Sequence, residues 1–126
     1  MSSIYLVVTN PDQARMLRRL LPPRVREKID FVIAEEGSSA VSTARTLLAL
    51  GGCPVALLAD AGTTDETQIA TQRETLVALL GNASPNLPYC VLVAAPSLLE
   101  IFANHGPLNQ IPLVQDIIAF VRRVTD

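Results

Sequence analysis

Asp60 is the side chain of this sequence best placed to do chemistry. It ends the apolar run Pro54-Val55-Ala56-Leu57-Leu58-Ala59 and precedes Ala61-Gly62-Thr63-Thr64-Asp65-Glu66, so a buried strand would deliver its carboxylate into a helix-opening turn. A carboxylate there suits a divalent cation or a phosphoryl group. Magnesium takes near-octahedral oxygen geometry from carboxylates, phosphate and water, so a single acid is a poor site. The place for a second acid is two residues on, where both side chains could reach one ion, and that residue is Gly62. Glu35, Glu36, Asp65 and Glu66 could stand in from neighbouring loops. Asp60 with Glu35 or Glu36 would then form a residual Mg²⁺-dependent nuclease or phosphotransferase. A plainer account fits the same residues. Asp65 and Glu66 in a first helical turn oppose the helix dipole, Asp60 accepts hydrogen bonds from turn amides, and Glu35-Glu36 is a solvated turn.

Other groups carry weaker chemistry. Gly37-Ser38-Ser39 at a helix start exposes amides that suit phosphate, but the two preceding glutamates repel an anion and no Gly-Lys-Ser/Thr loop occurs. Capping is the expected role. His105 lies in Asn104-His105-Gly106-Pro107 with no Ser or Cys partner in view, which leaves a catalytic triad unsupported. Cys53 and Cys90 are too few for a disulfide framework or a zinc site and fit a reducing compartment. Arg15, Arg18 and Arg19 share one side of the first predicted helix, and with Arg24, Arg26 and Lys28 they precede position 29, whereas most acids follow it. That stripe could contact a nucleic-acid backbone or be a solvated helix face. Tyr5 and Tyr89 fall in strands rather than on a stacking surface.

These residues must be positioned by a small frame. The 126 residues fit one compact domain spanning 1–126, and 49% apolar content with 4% aromatic residues makes its core aliphatic. A net charge of -2 argues against a surface devoted to nucleic acid. The N-terminal stretch lacks the features of a signal peptide, and no segment approaches the ~20 apolar residues that span a bilayer. A soluble cytoplasmic protein with no membrane partner is expected.

Short apolar runs alternate with amphipathic segments, the order of a parallel sheet with helices on both faces. Ile4 to Val8, Phe31 to Ala34, Val55 to Ala59 and Tyr89 to Ala94 are continuously apolar, as strands buried on both faces should be. Asn10-Pro11-Asp12-Gln13 opens the first helix, which buries Ala14, Leu17, Leu20 and Leu21 and stops at Pro22-Pro23. A second helix runs from about Ser39 to Leu50 and closes on Gly51-Gly52. Thr63-x-x-Glu66 reads as a capping box for a third, with Ile69, Leu76 and Leu80 inward and Gly81 as its stop. Ser97-x-x-Glu100 starts a shorter one, and Pro112 opens the last, whose Leu113, Ile117, Phe120, Val121 and Val124 form an apolar stripe.

The fold class is therefore α/β, a three-layer α/β/α sandwich on a four-stranded parallel sheet of expected order 2-1-3-4. Ligands of such sheets bind outside the carboxyl ends of the strands where the strand order reverses. That places the binding crevice among Thr9, Asn10, Glu35, Glu36, Asp60, Gly62, Thr63 and Asp65.

The run Ile4 to Leu21, the segment Gly37 to Leu48 and above all Pro54 to Glu66 resemble the Toprim fold of topoisomerases, primases and overcome-lysogenization-defect nucleases. They are similar in particular to small stand-alone Toprim-like proteins of unknown function, in which Ala95-Pro96 to Glu100 would match a further segment. The resemblance covers roughly residues 4 to 102. It implies a glutamate after the first strand and an Asp-x-Asp pair after the third, together holding Mg²⁺. Those positions are Thr9, Asp60 and Gly62, so one of three acids is present. A response-regulator receiver has a similar first strand and turn, but it needs an acidic cluster there and a lysine near the end of the sheet, and Lys28 is the only lysine. The expectation is a catalytically degenerate Toprim-like binding or interaction module with no cofactor, Mg²⁺ being the one the resemblance would imply. Its expected partner is a protein or a second copy in a homodimer, with nucleic acid as the other candidate.

Overall fold

The computed structural model describes residues 4–9, 11–34, 39–51, 53–60, 62, 65–83, 87–94 and 112–125. In chain order these form β1 (Ile4–Val8), α1 (Pro11–Leu20), the short α2 (Pro23–Arg26), β2 (Ile29–Ile33), α3 (Ser39–Thr46), β3 (Val55–Asp60), α4 (Glu66–Ala83), β4 (Tyr89–Ala94) and α5 (Pro112–Thr125). A π-helical turn, Leu47–Gly51, continues α3. All described strand pairs are parallel and the sheet order is β2-β1-β3-β4.

Side chains on β1 split by parity, as successive residues of a strand must. Ile4, Leu6 and Val8 enter one cluster with Ala14, Leu17 and Leu21 beside α1, Val25 of α2, Ala56 and Leu58 of β3, and Val114, Ile117, Phe120 and Val121 of α5. Val7 enters the other with Ala40 and Ala44 of α3, Leu48 of the π turn, Leu57 of β3, Leu80 of α4 and Val91 of β4. Hence α1, α2 and α5 cover one face, and α3 and α4 cover the other. Crossovers of one hand that run in opposite directions across the sheet, β1 to β2 through α1 and β2 to β3 through α3, place their helices on opposite faces. The reversal of direction lies between β1 and β3.

Local departures from the sequence reading have physical causes. β2 starts at Ile29, two residues before the expected Phe31, because Ile4 N–H donates to the Lys28 carbonyl and sets the register Ile4 with Ile29. As an edge strand it is not buried on both faces: Asp30 and Ile33 are exposed. Beyond Pro22 the chain forms α2, an extra helical turn closed by Arg26 and Glu27 N–H bonds to Pro22 and Pro23 carbonyls. In α1, Ala14, Leu17 and Leu21 are buried as read, and Gln13 is buried with them. Leu20 is half-buried. α4 begins at Glu66 with Asp65 rather than Thr63 as its cap. It also runs past Gly81 to Ala83, so Gly81 is not its stop. A Cβ at residue 81 would meet the Tyr89 hydroxyl oxygen at 2.8 Å, so close packing on β4 accounts for that glycine. The helix expected from Ser97 lies outside the described residues. No described helix is long and apolar enough to cross a membrane.

Candidate functional site

The crevice starts from the register of the two central strands. Val8 of β1 is level with Leu58 of β3, so Thr9, one step on, stands beside Ala59 and one residue short of Asp60. Thr9 is half-buried there. Asp60 is the last residue of β3 and pairs with Ala94 of β4. The fold thus brings the backbones of Thr9 and Asp60 together at the carboxyl edge, where the strand order reverses. The Asp60 side chain lies outside the described atoms, as do Asn10, Glu35, Glu36, Thr63 and His105.

Two other crevice residues have local explanations. Gly62 adopts φ +69°, the left-handed region that an L side chain enters only at a cost. It is exposed, and a Cβ there would have no heavy atom within 4 Å. The backbone conformation therefore favours glycine at 62, while the space around it would admit a carboxylate. Asp65 is spent differently. Its Oδ1 accepts from the Thr67 N–H at 2.9 Å and the Gln68 N–H at 3.4 Å, satisfying two of the orphan donors at the start of α4.

A second concavity, not anticipated from the sequence, follows β4 where the two helical layers meet. A hollow of about 460 Å³ is lined by Arg73 and Val77 of α4, Tyr89 to Leu92 of β4, and Asp116, Ala119, Phe120 and Arg123 of α5. An adjoining one of about 400 Å³ shares Arg73, Val91, Leu92 and Asp116 and reaches Glu66. Cys90 opens onto the first hollow as a half-buried free thiol. Burial pushes that thiol above its usual pKa and the Asp116 carboxylate adds to the rise, while Arg123 and Arg73 pull it back. A thiol held protonated at neutral pH is a weak nucleophile and a weak metal ligand. Arg73 and Arg123 are separated by 50 residues of sequence, and no local pattern could have paired them.

Comparison of the chain with protein-family models, curated proteins and solved structures finds no match. Among the described residues no three of His, Cys, Asp and Glu gather as metal ligands would. At the positions where the Toprim resemblance implies acids, Thr9 supplies a neutral hydroxyl and Gly62 supplies no side chain. Neither of these two positions offers the charged oxygen that Mg²⁺ favours.

Proposed function

We propose that the chain is a non-catalytic binding or interaction module, a Toprim-like domain with a degenerate acidic site, working beside proteins that process DNA. The observation that carries this reading is the switch-point crevice itself. Of the described residues that the fold can bring to Asp60, Thr9 has no charge, Gly62 sits in a left-handed turn, and the Asp65 Oδ1 is engaged in capping α4. Without a second carboxylate beside Asp60, the crevice would offer neither the ligand charge for magnesium nor a partner for general acid-base catalysis.

Divalent-metal titration tests it. A ion that binds only the native state raises the melting temperature, by an amount equivalent to about 2.7 kcal/mol when the ion is present at 100 times its Kd. The native protein is expected to melt at the same temperature in 10 mM Mg²⁺, an amount chosen as roughly the top of the millimolar range of weak sites, and in chelator. The variant Thr9→Glu with Gly62→Asp should behave otherwise. Three clustered carboxylates raise one another's pKa values and destabilise the metal-free fold, and the left-handed turn adds about 1 kcal/mol for aspartate at 62. This variant should melt lower in chelator and recover with Mg²⁺ or Mn²⁺. Tight metal binding by the native protein that Asp60→Ala abolishes would overturn the proposal in favour of an enzyme.

A further inference from the structure

The basic residues that the crevice does not use converge at the opposite, amino-terminal edge of the sheet. α1 must return from the carboxyl end of β1 to the start of β2, so Arg18 and Arg19 of its last turn arrive at that edge. Arg24 and Arg26 occupy α2 and Lys28 precedes β2. The end of α5 reaches the same corner: the Lys28 Nζ lies 3.4 Å from the Thr125 Oγ1, and Arg122 is one turn before Thr125. Two of the guanidinium groups are held in place. Arg26 Nη1 donates to the Arg18 carbonyl at 2.8 Å, and the Arg18 guanidinium stacks over the Phe31 ring at 4.9 Å.

The described residues do not neutralise the charge of this corner. Among the described residues the one ion pair is Arg15 with Asp12, further up α1. Among the described residues, six positive charges face two exposed acids, Glu27 and Asp30, and Asp126, which follows Thr125 in sequence, leaves the positive side in excess. The carboxyl ends of α1 and α5 each add only about half a negative unit. The corner therefore stays positive on a chain of net charge -2. Among its described residues it also lacks an exposed apolar anchor. The exposed large apolar residues among those described are Ile33, at the far end of β2, and Leu50 and Leu79, on the other helical layer. Protein interfaces draw their affinity from buried aromatic and aliphatic anchors, and membrane-surface helices insert an apolar face. A phosphate backbone needs neither, because neutralising it releases condensed counterions, and arginine forks match phosphate oxygens.

We infer that this corner binds the phosphate backbone of double-stranded nucleic acid without reading its sequence. The inference rests on the reading of the chain as a binding module. The test is fluorescence anisotropy with a labelled DNA duplex of arbitrary sequence, roughly 20 base pairs, so that several phosphates are in reach. With about five phosphates neutralised, a fourfold rise in NaCl should weaken binding about 500-fold. Arg19→Glu with Arg24→Glu alters two exposed side chains and should weaken binding by about 30-fold or more and flatten the salt slope by about 2. Arg45→Glu with Arg73→Glu makes the same change in net charge on α3 and α4, and should change affinity by less than about threefold. Should the first pair disturb folding, Arg19→Gln with Arg24→Gln removes the same contacts and should still cost about 10-fold. No binding in 50 mM NaCl, equal losses from both glutamate pairs, or tighter binding of the native protein to phosphatidylserine vesicles would each overturn the inference, 50 mM being roughly where phosphate contacts are strong. Such a failure leaves the module reading standing, since metal binding through Asp60 is what refutes that.

Discussion

Replacing Gly81 by alanine measures how closely α4 is seated on β4. The new Cβ would lie 2.8 Å from the Tyr89 hydroxyl oxygen, 3.5 Å from Cζ and 3.8 Å from Cε1. Only the first distance is inside van der Waals contact, so the conflict is with one atom. Alanine is favoured over glycine by about 1 kcal/mol in a helix interior. Because α4 ends at Ala83, the gain at residue 81 falls to about 0.5 kcal/mol. Opposing it, Tyr89 is half-buried against Val77, Leu80 and Leu87, and shifting its hydroxyl strains that packing by about 1.5 kcal/mol. Gly81→Ala should therefore destabilise the native protein by about 1 kcal/mol, and should stabilise the Tyr89→Phe protein by about 0.5 kcal/mol. In urea, with a slope of about 2 kcal/mol per M, the midpoint should drop by about 0.5 M in the first background and rise by about 0.25 M in the second. The same shift in both backgrounds would mean that the hydroxyl is not what keeps residue 81 a glycine.

Asp65→Ala should remove the cap of α4 and cost about 1 kcal/mol in thermal unfolding, while Asp65→Asn keeps an accepting oxygen and should cost only a few tenths. If Thr63→Ala proves the more damaging change, the cap belongs to Thr63 after all. Self-association is the expected outcome for an aliphatic chain with Leu50 83% and Leu79 36% exposed. Light scattering at roughly tens of micromolar, where weak dimers form, should give twice the 13.5 kDa monomer mass. A monomer mass at that concentration removes the homodimer.

The order of elements was legible because each boundary carries its own chemistry. Pro11 opens α1, Pro22-Pro23 closes it, Pro112 opens α5, and the continuous runs Ile4–Val8 and Val55–Asp60 could only be strands covered on both faces. From that order and the handedness of crossovers, the sheet order and the meeting of Thr9 with Asp60 follow with no knowledge of side-chain packing. Tertiary contact decided the rest. Thr63 and Asp65 are both good caps in isolation, and only the path of the turn into Glu66 assigns the Thr67 and Gln68 amides to Asp65. Gly81 looks like a helix stop until Tyr89, eight residues on, is folded back against it. The arginines of α1 read as a stripe along one helix, whereas packing turns Arg18 onto Phe31, ties its carbonyl to Arg26 of α2 and brings Lys28 to the end of α5. The groove on β4 draws Arg73, Cys90, Asp116 and Arg123 from three elements. Periodicity and capping are properties of neighbours along the chain, so sequence exposes them, but which distant side chains share a surface is fixed only when the layers close on one another.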